Sequence, residues 1–342
     1  MTRRIIHFGI AQPWPHQFPF DPTYGHDRDS LLSIQAPDTE PPDFSDFWRA
    51  TYHENEQIPL HYRLEPVAYI DPTVHAYKVT FDSWGERTSC AWLLEPAYGK
   101  PLIGCIIGHG YGGRTDINPG PWTLNSPTDR DVARIFPVAR GFHISSMPDI
   151  PSNNSGRHVI HGISSKETYV LRGCVAEQWT CSRIILDRHP HLARRLAYSG
   201  GSFGGGIGAL MLPWCNRFSA AHLNIPTFGH HPIRLRSQCV GSGEALRKYH
   251  TTHPEIANVL AYYDAATAAK YIRIPIFAGA ALFDPGVPPP GQFAICNSLA
   301  GESTLSIHSV GHFAHSESAS EGPEHERKAG LFLRNKLQDI ST

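Results

Sequence analysis

An alternating α/β fold, with a mostly parallel central sheet and helices on both faces, follows from three features of the 342-residue sequence. Short apolar runs that end in glycine, such as Leu102 to Gly108, suit strands buried on both faces. Segments of helical period alternate with them, as at 167–187, where Val170, Leu171, Cys174, Val175, Cys181, Ile184 and Ile185 precede the short strand Arg195 to Ser199. Between that strand and the apolar segment Ile207 to Leu212 lies a turn of unusual glycine density. A composition of 41% hydrophobic and 18% charged residues is ordinary for a chain that buries a large core, and nothing in its middle reads as a linker.

The elements run in the following order. Residues 1–40, rich in Pro, Asp and aromatic side chains without a sustained period, read as an N-terminal arm laid over a single domain of residues 41–342, or as a contact with a neighbouring subunit. Pro41-Pro42-Asp43 before Phe44, Phe47 and Trp48 announces an amphipathic helix to about Gln57. Val74 to Phe81 and Thr88 to Leu94 flank the turn residues Asp82 to Gly85 and predict two antiparallel strands. Leu102 to Gly108 is a buried strand, and Phe142-His143-Ile144 a weaker one. Residues 230–262 interrupt the alternation and predict a helical insertion over the sheet. Ile274 to Ala280 then reads as a strand, Gln292 to Ala300 as a helix, Thr304 to His308 as the last strand and Glu326 to Gln338 as the closing helix.

A formal net charge of -1 provides no field for nucleic acid or an anionic membrane, so neutral or small substrates are expected. His7, Gly9, Gln12, Pro13 and Pro15 break the only apolar stretch near the N-terminus, which predicts neither a signal peptide nor a membrane span and points to the cytoplasm. Seven cysteines, odd in number and scattered among apolar neighbours, read as reduced core thiols.

The dense turn is Gly200-Gly201-Ser202-Phe203-Gly204-Gly205-Gly206. Its G-x-S-x-G form between a strand and a helix is that of a nucleophile elbow, which predicts an α/β-hydrolase fold with Ser202 as nucleophile. Glycines are needed there because side chains would collide with the neighbouring strand and helix. A serine nucleophile requires a base and an orienting acid, in this fold in the order Ser, Asp or Glu, His. Asp284, after the strand Ile274 to Ala280, and His312, after Thr304 to His308, supply both at the carboxyl ends of strands. Asp264 competes with Asp284 but sits where it would cap a helix from Ala265 to Tyr271, and His308, His315 and His325 are less well placed than His312. The backbone N–H groups of Phe203 and of Tyr111, in Gly110-Tyr111-Gly112-Gly113, are candidates for an oxyanion hole. His230, His231 and His222 invite a metal reading, but no cysteine or carboxylate completes a zinc-like spacing, so no metal and no cofactor are expected.

In the order of these marks the sequence resembles the acetyl xylan esterase and cephalosporin-C deacetylase family, carbohydrate esterase family seven, over roughly residues 40–335. They are Pro41 to Trp48, Gly110-Tyr111-Gly112-Gly113-Arg114, Tyr169 to Gly173, Gly200-Gly201-Ser202, Tyr262-Tyr263-Asp264, and Asp284 with Pro288-Pro289 and Phe293-Ala294. The resemblance implies a triad of Ser202, Asp284 and His312, oxyanion donors at Tyr111 and Phe203, removal of acetyl groups from sugars or small molecules without a cofactor, and a cytoplasmic homo-oligomer, often a hexamer. Phe203 and Phe313 stand where the family has Gln and Glu, and its Arg-Gly-Gln segment has no counterpart around Ser145 to Asp149. These differences imply a more apolar pocket. Other hydrolase reactions, such as acyl transfer or lactone or peptide hydrolysis, and a catalytically silent binding scaffold, remain as alternatives.

Overall fold

Strict alternation within Ile103–Ile107 shows how the strands divide the core: Ile103, Cys105 and Ile107 face one side of the sheet and Ile106 the other. The computed structural model describes residues 3–117, 124 and 129–338. Among these, ten strands form one sheet: β1 (Arg3–Phe8), β2 (Tyr62–Val67), β3 (Val74–Ser83), β4 (Arg87–Pro96), β5 (Ile103–Ile107), β6 (Val132–Val138), β7 (Leu196–Gly201), β8 (Phe218–Asn224), β9 (Ile276–Phe283) and β10 (Ser303–Val310). The order across the sheet is β1-β10-β9-β8-β7-β5-β6-β4-β3-β2. The pairings from β1 to β6 in this order are parallel, and β4, β3 and β2 continue it antiparallel.

Helices cover both faces. Phe44–Gln57, Val170–Arg188, Phe203–Met211, Ala265–Ala269 and Pro289–Ser298 pack on the face that holds Ile106, Trp179, Leu210 and Phe293. Glu321–Gln338 covers the other, placing Leu333 and Leu337 with Ile103, Cys105, Phe136 and Ala197. The seven cysteines are buried and unpaired. This is the α/β-hydrolase architecture.

The structure corrects one expected strand. Phe142 to Ile144 is not a strand: His143–Ser145 is a 3-10 turn, and the strand of this region is β6, earlier in the chain. Arg134 and Pro137 hide β6 in the sequence, yet both are accommodated. Arg134 is buried because its guanidinium donates to the carbonyls of Leu124, Asp129 and Val132. The segment 230–262 does carry short helices, among them Ser242–His250 and Ile256–Ala261.

The residues read as an arm begin by extending the sheet, because β1 pairs in parallel with the last strand, β10. From there the chain crosses the carboxyl ends of β10 and β9. Ile10 N–H donates to Ser309 Oγ at 2.7 Å, Trp14 lies on the His315 ring with centroids 4.4 Å apart, and Pro22 O accepts from Asp284 N–H at 3.1 Å.

Several histidines are enclosed as neutral rings, which sets the acid limit of the fold. Burial lowers His109, His158 and His308 to about 4 and His231 to about 3. Their unfolded value is ~6.5, so between pH 6.5 and 4 the unfolded chain binds more protons and stability falls as pH falls. Each such ring costs roughly 2 kcal/mol at pH 5, whereas Asp264, raised to about 6 by burial, offsets the loss only in part. Thermal melts by circular dichroism are therefore expected to show Tm dropping steeply between pH 6 and pH 4.5. A flat Tm over that interval would show that these rings are not held neutral.

Candidate active site

Ser202 follows β7 with φ 54° and ψ −114°, a conformation that costs about 1–3 kcal/mol for a residue with a side chain. The surrounding contacts impose this turn. A Cβ on Gly200 would lie 2.6 Å from the Gly204 carbonyl carbon, and one on Gly206 2.4 Å from Thr227 O. Gly204 and Gly205 are tight as well, at 3.0 Å from Gly108 C and from Pro226 Cα, whereas the nearest neighbour of Gly201 would be 3.8 Å away, so the crowding argument applies to four of the elbow glycines and not to it.

The loops after β9 and β10 bring the other two expected residues to Ser202. Ser202 Oγ donates to His312 Nε2 at 2.9 Å, and His312 Nδ1–H donates to Asp284 Oδ2 at 2.8 Å. His312 also has positive φ, 46°. Burial works to lower its pKa, but the Asp284 charge and hydrogen bond outweigh it and hold the pKa above the ordinary value. The Asp284 carboxylate is fully buried and saturated: Oδ1 accepts from Gly286 N–H at 2.8 Å and Val287 N–H at 2.9 Å, and Oδ2 also from Gln292 Nε2 at 2.8 Å.

The two N–H groups expected as oxyanion donors are those of Phe203 and Tyr111. Phe203 is the first residue of helix Phe203–Met211, where an N–H has no partner within the helix. Gly204 N–H donates to His109 O at 2.9 Å, tying the elbow to the loop that carries Tyr111. Neither the Phe203 nor the Tyr111 N–H is used in a hydrogen bond among the described residues. The Tyr111 and Phe203 rings pack with centroids 4.3 Å apart, backed by Phe142 and Phe228.

A buried chain of polar groups supports Tyr111. Its hydroxyl donates to His158 Nδ1 at 3.1 Å, and His158 Nε2–H donates to Arg140 O at 2.9 Å. Arg140 in turn donates to Glu177 Oε1 at 3.0 Å and Trp84 O at 3.0 Å. Sequence reasoning missed this network: the segment after β6, Arg140-Gly141-Phe142, carries no signal of its own, because Glu177, Trp84 and His158 come beside it only in the folded chain. Gln292 was missed as well, since a glutamine inside a helix carries no signal until the acid it touches is known.

The competing residues are occupied elsewhere. Asp264 accepts from the N–H groups of Ala266, Thr267, His230 and His231, capping one helix and fastening a neighbouring turn. His308 donates to Asn224 Oδ1 at 3.0 Å. His222 does not meet His230 or His231 but pairs with His325, Nε2 to Nε2, at 2.7 Å. Those two rings and Glu326 bring possible ligand atoms within 4.8 Å of one another, the metal-like grouping among the described residues. Its two rings are already joined by a hydrogen bond between neutral tautomers, and it lies outside the Ser202–His312–Asp284 line.

Known proteins resemble this chain in family pattern and in fold. The acetyl xylan esterase family model matches residues 28–326. An acetyl xylan esterase structure from Paenibacillus sp. R4 superposes with a TM-score of 0.79 at 20% identity, covering 91% of this chain and 99% of that one. Acetyl xylan esterase 1 from Thermoanaerobacterium sp. JW/SL YS485 gives 0.77 at 17% identity, with 92% and 99% covered. An acylaminoacyl peptidase from Pyrococcus horikoshii shares the fold at 0.53 and 14% identity, covering 84% of this chain and 43% of that one.

Proposed function

The chain belongs to the acetyl xylan esterase family and is a carboxylic ester hydrolase, and from that premise we propose that Ser202, His312 and Asp284 perform its chemistry on acetyl or other short-chain esters of sugars or small alcohols. The observation that carries this reading is the unbroken hydrogen-bonded line from Ser202 Oγ through both His312 nitrogens to a carboxylate closed off from solvent. Ser202 Oγ attacks the ester carbonyl carbon while His312 Nε2 takes its proton. The N–H groups of Phe203 and Tyr111 hold the resulting oxyanion, each donor worth ~2.7–4 kcal/mol in the transition state. The bond to the alcohol oxygen then breaks, that oxygen takes the proton from His312, and the acyl group stays on Ser202. Water, deprotonated by the same nitrogen, releases the carboxylic acid.

The packed Tyr111 and Phe203 rings support a short acyl group, because they fill the space beside the oxyanion donors. Phe203→Ala keeps the N–H and removes the ring. It is expected to shift the chain-length profile towards butyrate and hexanoate by about tenfold or more relative to acetate, at a stability cost of about 3–5 kcal/mol. A panel of p-nitrophenyl esters from acetate to octanoate measures this, and an unaltered profile would place the acyl group elsewhere. Fluorophosphonate labelling tests the nucleophile itself: wild-type protein unmodified at Ser202 would defeat the reading.

No helix among the described residues is long and apolar enough to cross a membrane. The same proposal includes a cytoplasmic homo-oligomer, supported by the family resemblance, and light scattering of the purified chain reads the assembly directly.

A further inference from the structure

Arg234 ends the short helix His231–Arg234 in the segment that covers the sheet, and it is buried, with 5% of its surface exposed. Its guanidinium makes no hydrogen bond and no ion pair among the described residues, and Nη1 is closed off from solvent. Two other buried arginines are not left so. Arg134 donates to the carbonyls of Leu124, Asp129 and Val132, and Arg140 to Glu177, Ser83 and Trp84 O. What Arg234 has is the ring of Phe228, whose centroid lies 5.2 Å from its Cζ. A ring face returns less than a guanidinium loses on leaving water without a paired charge, so the arrangement calls for an anion.

The guanidinium turns its Nε and Nη2 edge to the first turn of helix Ser242–His250. A Cβ on Gly243 would lie 3.7 Å from both nitrogens and 2.6 Å from Cys239 Sγ, so glycine keeps the backbone bare at this point. Gly241, which caps the helix, has no side chain to accept from the first turn, and the N–H groups of Ser242 and Gly243 enter no hydrogen bond among the described residues. Glu244, the acid of that turn, is taken by Arg247 and Lys248. A fixed positive charge and the positive end of a helix therefore lie side by side. Burial raises the pKa of Tyr111, Tyr169 and Cys239 while the Arg234 charge opposes it, which puts the guanidinium among these side chains.

We propose that Arg234 and the first turn of helix Ser242–His250 form a binding site for a small carboxylate. A carboxylate matches the planar fork of a guanidinium with two parallel hydrogen bonds, and its oxygens have lone pairs left for the N–H groups of the helix. Phe228 joins this site to the surroundings of Ser202: its ring packs on Arg234 and meets the rings of Phe203 at 5.9 Å and Tyr111 at 6.3 Å. The carboxylate has two sources. One is the far end of an acyl chain carried on Ser202, which makes dicarboxylic half-esters substrates; the other is a free acid such as the one that hydrolysis releases. The first source rests on the reading of Ser202 given above, whereas the binding site itself does not.

Thermal melts of the whole chain at neutral pH compare sodium acetate, acetamide and sodium phosphate at one ionic strength, held by a bulky sulfonate buffer. Acetate is expected to raise the wild-type Tm by about 2 °C or more, and acetamide, of the same shape but uncharged, to leave it unchanged. Arg234→Met should lose the acetate response and, without acetate, melt no lower than wild type, because an unpaired buried charge has been removed. Methyl hydrogen succinate and methyl pentanoate then separate the two sources. A succinate-to-pentanoate ratio of kcat/KM that falls about tenfold or more in Arg234→Met assigns the carboxylate to the acyl chain. An unchanged ratio with the acetate response lost assigns it to a free acid. The site is overturned by an acetate response that survives Arg234→Met, by a response to phosphate and none to acetate, or by a variant that melts well below wild type in acetate-free buffer. A wild-type Tm blind to acetate together with an unchanged ratio overturns it as well. If wild-type protein cleaves neither methyl ester and Ser202 takes no fluorophosphonate label, the esterase reading fails, while the melts still judge the site.

Discussion

Ser202→Ala is expected to lower kcat for ester hydrolysis by at least about 10⁴-fold while leaving the fold and Tm near those of the parent. The loss is large because nucleophile, base and oxyanion donors act as one unit, so deleting one member removes most of their joint effect. The fold should persist because the elbow is imposed by its neighbours: Ser202 N–H donates to Asn224 O at 2.9 Å, and its carbonyl accepts from Gly206 and Thr227 N–H, none of which needs the hydroxyl. His312→Ala should show a loss of similar size. His308→Ala should act on stability, since His308 is buried and bonded to Asn224 rather than to Ser202. A well-folded Ser202→Ala protein that keeps more than a tenth of parental turnover would remove Ser202 from the chemistry.

Asp284→Asn is expected to lower kcat by roughly 10³ to 10⁴-fold with little change in KM, because an amide imposes the wrong imidazole tautomer. The surroundings leave the amide no choice of orientation. Its oxygen must face the Gly286 and Val287 N–H donors, which turns its NH₂ towards His312 Nδ1. Gln292 cannot rotate to compensate, since its Oε1 already accepts from Ala281 N–H at 2.9 Å and its Nε2 donates to Val287 O at 2.7 Å. His312 would then accept at Nδ1 and carry its proton on Nε2, where it cannot take the proton of Ser202. Asp264→Asn makes the contrasting case. It loses part of a four-fold backbone cap and should lower Tm with a smaller effect on turnover per folded molecule. Steady-state kinetics beside melting curves separate the two. If Asp264→Asn abolished turnover and Asp284→Asn did not, the acid would have to be reassigned.

Elements with strong local signals were legible in the sequence. The helix from Phe44 to Gln57 and strands β3, β4 and β5 follow from period, turn residues and proline placement. The elbow was readable because its constraint is local: a serine at φ 54° and close backbone packing demand a glycine-rich string. Elements stabilised by distant partners were not. β6 contains Pro137 and a buried Arg134, β8 is Phe-Ser-Ala-Ala-His-Leu-Asn with little β-propensity, and β1 is a strand only because β10 offers it an edge.

The same division holds at the site. The sequence by itself determined the fold class and the elbow, and put Ser202, Asp284 and His312 forward in that order, because each stands in a short stretch with a local signal of its own. The tertiary structure alone decided that Gln292 and Pro22 hold the segment of Asp284, that a buried chain from Glu177 through Arg140 and His158 supports Tyr111, and that His222 meets His325 rather than His230 or His231. The physical reason is that these contacts join residues far apart in the chain. Hydrogen bonds and ring contacts act over a few ångströms in space, and no periodicity or spacing records a neighbour that only sheet order brings near.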